Sequence, residues 1–329
     1  MSRRLLLASA AMLWLWNGPN LLADDPSPAA PAEGDAKTEP KPPGYIRVRR
    51  NDKGEPVAME TAVVRYVSAD GLRPGVTVDL IGAVHVGDRA YYDALNKLFT
   101  EYEVVLYELV APEGTRIPKE GRKEGGGSHP VAAVQNGMST MLELKHQLDC
   151  IDYTKENLVH ADMSPDEFNK AMSSRGESFL QMFLRLMGQG MAQQAAAEKK
   201  GTASGGDFGM LLALFSKDRA RQMKIMMAEQ FEGLEGQMAL FDGPEGSTII
   251  TERNKRAFEV LEKQLAAGKK DIGVFYGAGH FPDMDKRLAA EFGLKRNGDT
   301  WIVAWSLVPK SGTTPAPSKE AEDAKSERP

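Results

Sequence analysis

The stretch Val76-Thr-Val-Asp-Leu-Ile-Gly-Ala-Val-His85 is an apolar, β-type run that ends in the pattern Gly82-Ala-Val-His85. A second run of the same kind, Asp271-Ile-Gly-Val-Phe-Tyr276, is followed by Gly277-Ala-Gly-His280. A histidine at the point where a buried strand meets a loop lies at the rim of an α/β sheet, where open sheets have their ligand sites. The repetition therefore predicts that the two histidines converge on one site.

The segments around these motifs predict an α/β fold with a mixed, partly parallel sheet. Asp88 to Thr100 has apolar residues at helical spacing and Val104 to Val110 is a β-type run, so strand, helix and strand follow in the order of a βαβ unit. In such a unit His85 and Glu108 fall at the same edge of adjacent strands. The same order recurs near the end of the chain, which predicts two similar βαβ-type halves. Further strands are expected at Ile46 to Arg50, Ala62 to Val67 and Trp301 to Leu307, with the first two antiparallel, and helices at Thr248 to Ala267 and Met284 to Phe292.

The middle of the chain, about residues 129–247, has a helical apolar pattern and predicts a large insertion between the two halves. Its helices are expected at Val131 to Leu148, Ser164 to Ser173, Phe179 to Ala197 and Phe208 to Glu229. With this insertion, residues 44–309 are expected to form the folded domain. Residues 24–43 and 310–329 are rich in Pro, Ala and charged residues, which predicts a disordered linker and tail because such segments bury too little apolar surface to offset their conformational entropy.

Residues 1–23 begin with Arg3 and Arg4, continue as an apolar run from Leu5 to Trp16 and end before two aspartates. The run is shorter than the ~20 residues that a membrane span needs, so the segment predicts a cleaved export signal. We therefore expect a periplasmic or extracellular protein, tethered to the membrane of the envelope if the signal stays uncleaved.

The composition argues against several classes of function. The 41 basic and 46 acidic residues are spread along the chain without a basic stripe, so nucleic acid is not an expected partner. A single cysteine, Cys150, excludes an intramolecular disulfide. The sequence also lacks Gly-x-Ser-x-Gly, a Walker-type phosphate loop and a Gly-x-Gly-x-x-Gly after its first strand, which disfavours a serine hydrolase and a nucleotide enzyme.

His85, Glu108 and His280 are the candidate catalytic residues and metal ligands. Two imidazoles and one carboxylate can hold a hard or borderline divalent ion and leave positions open to water and substrate. Such an ion lowers the pKa of its bound water to about 7 and polarises a carbonyl, which is a hydrolytic arrangement. Three glycines beside the histidines are expected to permit sharp turns and to keep space open near the imidazoles: Gly82, Gly277 and Gly279.

Glu108 also has an interpretation that needs no metal. It lies in an apolar run, where a lone carboxylate is costly to bury, and Arg253 is the obvious partner for an internal ion pair. Arg253 and Asn254 are alternatively candidates for contact with substrate or for a second shell around the site. The segment His160-Ala-Asp162 precedes Ser164-Pro165 and is interpreted as the approach to a helix start rather than as a pair of ligands.

Four motifs, taken in order, resemble those of the TraB/GumN family, which is related to the Tiki proteins. They are Gly82-Ala-Val-His85, Val104-Val-Leu-Tyr-Glu108-Leu, Thr251-Glu-Arg-Asn254 and Tyr276-Gly-Ala-Gly-His280. The resemblance covers Val76 to Leu307. The chain departs from the family pattern at Arg116, because the arginine that usually lies close behind the family glutamate is delayed here by Ala111-Pro-Glu-Gly-Thr.

The resemblance implies two similar α/β halves with a helical insertion, a fold related to erythromycin esterase and to the haem-binding ChaN-like proteins. For Tiki members it implies a divalent-metal-dependent protease. The expected function is therefore an exported metal-dependent hydrolase that acts on a peptide or another small extracytoplasmic substrate. The alternatives are an esterase-like hydrolase in which histidine and glutamate activate water without metal, a non-catalytic protein that holds haem or another ligand, and an inactive scaffold.

Overall fold

The computed structural model describes residues 44–69, 71–115, 117–118, 142–176, 218–241 and 247–309, with the backbone alone for 233–241. The expected export signal (1–23), linker (24–43) and tail (310–329) lie outside these residues, as does the helix expected at Phe179 to Ala197. Within the described ranges, no helix is long and apolar enough to cross a membrane.

Strands and helices alternate along much of the described chain. The strands are β1 (Ile46–Arg50), β2 (Pro56–Ser68), β3 (Thr77–Ala83), β4 (Val86–Gly87), β5 (Val104–Tyr107), β6 (Lys145–His146), β7 (Leu158–His160), β8 (Asp271–Gly277) and β9 (Leu294–Ser306). The α-helices are α1 (Arg89–Leu98), α2 (Gln147–Cys150), α3 (Pro165–Ser174), α4 (Arg219–Phe241), α5 (Arg253–Ala266) and α6 (Phe281–Phe292). Short 3-10 helices cover Phe99–Glu101 and Ala278–His280, and a π-helical turn, Thr248–Glu252, leads directly into α5.

Seven of these strands form one mixed sheet. The path through it is β1-β2-β3-β8-β5-β7, and β9 pairs with β2. From β3 to β7 the neighbours are parallel, whereas β2 pairs antiparallel with β1, β3 and β9. The α/β class and the mixed, partly parallel sheet are therefore confirmed, and so is the opening antiparallel pair.

The expectation that His85 and Glu108 follow adjacent strands is wrong. β8 lies between β3 and β5, with Ala83 paired to Gly277 on one side and Tyr107 paired to Phe275 on the other. A βαβ pattern gives the direction of its two strands, but a strand from a distant part of the chain can lie between them. Glu108 consequently has the second histidine motif, on β8, as its neighbour.

The last strand is longer than the apolar run from Trp301 predicts. β9 begins at Leu294 and pairs antiparallel with β2 from Ser68 back to Ala58. Because β9 occupies one edge of β2 along this length, β1 and β3 share the other edge. β2 therefore connects the antiparallel part of the sheet to the parallel part.

The parallel strands are buried on both faces, and alternate side chains point to two separate cores. Ile81, Val105 and Phe275 pack on one face together with apolar residues of α1 and α4. Leu80, Leu106 and Val274 pack on the opposite face against α5 and α6. The near-continuous apolar runs of β3, β5 and β8 follow from this two-sided burial.

The predicted helical insertion is partly described. α3 begins at Pro165 after the N-cap Ser164, whose hydroxyl and the carboxylate of Glu167 form a capping box, so the expected helix start is confirmed. The insertion also supplies β7, which pairs with β5 in the main sheet and which the helical pattern does not predict. Part of the helix expected at Val131 to Leu148 lies outside the described residues, and its final residues form β6 and the start of α2.

Phe275→Ala should lower the free energy of unfolding by about 3–5 kcal/mol, because the ring is fully buried in the central strand and its removal leaves a cavity between packed elements. Urea denaturation measures this loss. Leu72→Ala is the matched control, since the Leu72 side chain is 81% exposed and should be close to neutral. Equal effects of the two substitutions would contradict the assignment of this face as the core.

Candidate functional site

The candidate site lies at the carboxyl ends of the parallel strands. Glu108 directly follows β5, Asp162 comes two residues after β7, and Gly277 ends β8. Carboxyl ends of parallel strands meet at one edge of a sheet, which is the usual place for ligand sites in open α/β folds. The first turn of α5 brings Arg253 and Asn254 to the same edge, where both are buried.

Arg253 joins two carboxylates from different strand ends. Its Nε donates to Asp162 Oδ1 at 2.9 Å, and its Nη2 donates to Asp162 Oδ2 at 2.5 Å and to Glu108 Oε1 at 2.7 Å. The side chain of Asp162 is 0% exposed, whereas those of Arg253 and Glu108 are each 11% exposed. The predicted pairing of Glu108 with Arg253 is therefore observed, with a second carboxylate in addition.

Glu108 is held in its ionised form. Burial alone would raise the pKa of its carboxyl, but the charges of Arg253 and, more weakly, His280 and His85 outweigh burial and hold that pKa well below its usual range. The backbone N–H of Gly277 also donates to Glu108 Oε2 at 2.7 Å. Each oxygen of this carboxylate thus accepts a hydrogen bond from a different element.

His280 lies beside Glu108 and is only 5% exposed. Its Nδ1 is 2.6 Å from Oδ1 of Asn254, and its Nε2 is 3.6 Å from Oε1 of Glu108. Because an amide oxygen only accepts, Nδ1 carries the proton and Nε2 keeps its lone pair while the ring is neutral. The Tyr276 ring meets the imidazole edge-on at a centroid distance of 5.2 Å and limits its rotation.

His85 is placed differently from His280. Its side chain is exposed in the loop between β3 and β4, and its carbonyl accepts a hydrogen bond from the backbone N–H of Gln147. The loop is anchored by two phenols of α1, since Tyr91 donates to the carbonyl of Gly82 and Tyr92 to that of Val84. Of the three proposed ligands, only Glu108 and His280 contact each other, and the described part of the chain contains no group of three His, Cys, Asp or Glu side chains that could hold a metal ion.

The glycines of the two motifs also differ in their surroundings. A Cβ on Gly277 would lie 3.3 Å from Oε2 of Glu108, so the absence of a side chain lets this backbone approach the carboxylate. A Cβ on Gly82 would instead meet the backbone of Ala62 and the side chain of Thr61, each at 3.1 Å. At Gly82 the absence of a side chain therefore permits a close approach of β3 to β2. Gly279 lies within the 3-10 turn that carries His280.

Asp162 is the residue of this site that the sequence analysis missed. Its neighbours in sequence lead into the N-terminus of α3, and its Oδ1 accepts a hydrogen bond from the N–H of Met163 at 2.8 Å. The available signal was its place just beyond a short β-type run, Leu158 to His160, in the way that Glu108 lies just beyond β5. His160 Nε2 lies 2.6 Å from the carbonyl of Leu109 and so ties the end of β7 to the segment that follows Glu108. Arg116, the departure from the family pattern, lies outside the described residues.

Arg253→Met should destabilise the protein by about 3–5 kcal/mol at pH 7, because it leaves two buried carboxylates without a counter-charge. The depressed pKa of Glu108 in the wild type means that its stabilising contribution is present above about pH 4.3, its ordinary value in an unfolded chain, and is lost at lower pH. In the variant, burial raises that pKa, so the free energy of unfolding should increase as the pH falls from about 7 to about 5.

Urea denaturation across this pH range tests both statements. Lys255→Met is the control, since Lys255 lies on the same helix with a side chain that is 49% exposed and pairs only with Glu252 in the described ranges. It should change stability little and leave the pH dependence as in the wild type. A pH dependence for Arg253→Met that matches the wild type would show that the carboxylates do not depend on this guanidinium.

No family model, no curated protein and no solved structure matches this chain.

Proposed function

We propose that this protein is an exported hydrolase of the TraB/GumN type, in which His280 activates water and Glu108 stabilises the resulting imidazolium. The observation that carries the proposal is the orientation of His280: Nδ1 is held by Asn254, and Nε2 faces Glu108 from 3.6 Å. A general base that is oriented by a third group is the recurrent arrangement of hydrolytic sites. The motifs resemble those of the TraB/GumN family, and its relation to the Tiki proteases favours peptides as substrates; the exported state is inferred from residues 1–23.

The carboxylate of Glu108 lies where it can stabilise an imidazolium formed at His280. Arg253 supplies one positive charge, whereas Glu108 and Asp162 supply two negative charges. With a neutral imidazole this buried group carries one net negative charge, and with an imidazolium it is neutral. An imidazolium formed by proton transfer to Nε2 would lie 3.6 Å from Oε1 of Glu108, within reach of stabilisation by that carboxylate.

The residues in and around the site of His280 come from four sequence motifs that are far apart in the chain. Glu108, Arg253, Asn254 and His280 come from three of them and make direct contacts with one another. The fourth motif ends in His85, which is exposed near the same edge and weakly lowers the pKa of Glu108. An exposed imidazole at the rim of the site is suited to contact with substrate, and we assign it that role.

His280→Gln should reduce kcat/KM by about 10²–10⁴-fold, the usual contribution of a positioned general base, with little loss of stability. Glu108→Gln should reduce kcat/KM as well and also lower the melting temperature, because it removes one of the two carboxylates that pair with Arg253. Turnover is first sought with a quenched-fluorescence peptide library and a panel of p-nitrophenyl esters. The variants are then compared on the best substrate.

His129 is not one of the candidate site residues and lies outside the described residues, so His129→Ala is the control for the loss of an imidazole and should keep wild-type activity. Wild-type activity in His280→Gln would contradict the proposal. Absence of turnover in both substrate panels, with a folded wild-type protein, would instead favour a ligand-binding protein or a scaffold.

A divalent-metal hydrolase is the second candidate, and it is favoured by the spacing of two side chains. Ligand atoms about 2.0–2.2 Å from a tetrahedral ion are about 3.4 Å apart, close to the 3.6 Å between His280 Nε2 and Glu108 Oε1. His280 and Glu108 would hold the ion, which would supply an activated water and a Lewis acid. The third proposed ligand, His85, is exposed and does not complete the set in this arrangement.

Elemental analysis of protein purified without added metal separates the two candidates. The metal candidate predicts a bound divalent ion that is lost in His280→Ala, together with activity that a chelator abolishes. The metal-free candidate predicts activity that resists the chelator. A Soret absorbance in the same sample would identify haem and contradict both.

A further inference from the structure

We infer that Asp283 is a positioning residue which, through Asn254, determines which nitrogen of His280 carries the proton. This inference rests on the proposed function for its catalytic meaning, but its structural content is independent of any reaction. Asp283 lies in the first turn of α6, three residues beyond His280. Among the residues that the structure describes, its carboxylate accepts a hydrogen bond from Asn254 and does not contact the imidazole.

The orientation of the Asn254 amide follows from its partners. Its Nδ2 is 2.8 Å from Oδ2 of Asp283 and 3.1 Å from the carbonyl oxygen of His280, and both of these atoms only accept hydrogen bonds. A flipped amide would point its oxygen at two acceptors. Since Asn254 is 0% exposed, water cannot compensate for that repulsion.

Of the two hydrogen bonds that orient the Asn254 amide, the one to Asp283 is the stronger. A hydrogen bond to a carboxylate is shorter and roughly twice as strong as one to a neutral carbonyl. Asp283 is itself held by Arg287, whose Nε donates to the same Oδ2 at 2.7 Å. Arg287 also pairs with Glu291, but the Glu291 side chain is 50% exposed, so this second pair contributes little to the position of Arg287.

The orientation of the Asn254 amide determines which nitrogen of His280 keeps its lone pair. With the Asn254 NH₂ directed at Asp283, its Oδ1 faces His280 and requires a proton on Nδ1. The lone pair then remains on Nε2, toward Glu108. If the amide flipped, its NH₂ would face Nδ1, the proton would move to Nε2, and the imidazole would have no lone pair on the side of the site. Loss of the correct tautomer has a large effect in histidine-dependent hydrolases.

The test is ¹⁵N NMR of the histidine rings in the free protein, with the His280 signals assigned by their loss in His280→Gln. The wild type should show the Nδ1–H tautomer, and an Nε2–H tautomer there would overturn the inference without any variant. Asp283→Ala should give a mixture in which the Nε2–H form is populated. A single Nδ1–H tautomer in a folded Asp283→Ala protein would equally overturn it.

Two further variants separate positioning from a general effect on structure. Asp283→Asn keeps an acceptor oxygen and should retain the Nδ1–H tautomer. Glu291→Ala removes an exposed carboxylate from the same helix and should change nothing. A tautomer change in Glu291→Ala that equals the change in Asp283→Ala would contradict a specific role for Asp283.

Hydrolase activity is the second measurement, once a substrate has been found. Asp283→Ala should lower kcat by about 10-fold or more with KM little changed, because the wrong tautomer lacks the base but leaves the binding surface intact. A tautomer change without any hydrolase activity in the wild type would refute the proposed function and leave this inference standing. Activity that depends on His280, with an unchanged tautomer in Asp283→Ala, would refute the inference alone.

Discussion

The guanidinium of Arg253, placed between the carboxylates of Asp162 and Glu108, is the interaction on which the rest of the site depends. An unpaired carboxylate in such a buried place costs several kcal/mol, so neither strand end could carry its acid alone. The three residues are far apart in sequence and belong to the ends of β5 and β7 and the start of α5. Their pairing therefore forms only when the sheet is complete, and it holds Glu108 in place beside His280.

The sequence predicts the local features of this fold well and its long-range features poorly. The apolar runs of β3, β5 and β8 and the cap of α3 follow from side-chain patterns within a few residues, and all four are observed. The place of β8 between β3 and β5 depends on contacts across almost two hundred residues, which no local pattern encodes. Asp162 was missed for the same reason. Its neighbours in sequence suggest only the start of a helix, whereas its role is to pair with Arg253, a residue far away in the chain.

The two Gly-x-x-His motifs have the same sequence pattern but not the same surroundings. In the second, Gly277 gives its backbone N–H to Glu108, and His280 is buried beside that carboxylate. In the first, Gly82 lies against β2 and His85 is exposed. The difference arises because β8 lies next to β5, with its acid, whereas β3 is separated from β5 by the width of β8. Strand order, rather than the motif, decides which histidine meets the carboxylate.

The same geometry divides the chemical roles between Glu108 and His280. A carboxyl whose pKa is held well below its usual range is a weak base near neutral pH, so Glu108 is poorly suited to take a proton from water. It is well suited to stabilise a positive charge, because Arg253 leaves the buried group with one negative charge in excess. His280, with its proton fixed on Nδ1, presents a lone pair at Nε2 next to that charge. In the proposed hydrolase, the arginine that makes Glu108 a poor base therefore leaves His280 as the residue that accepts the proton.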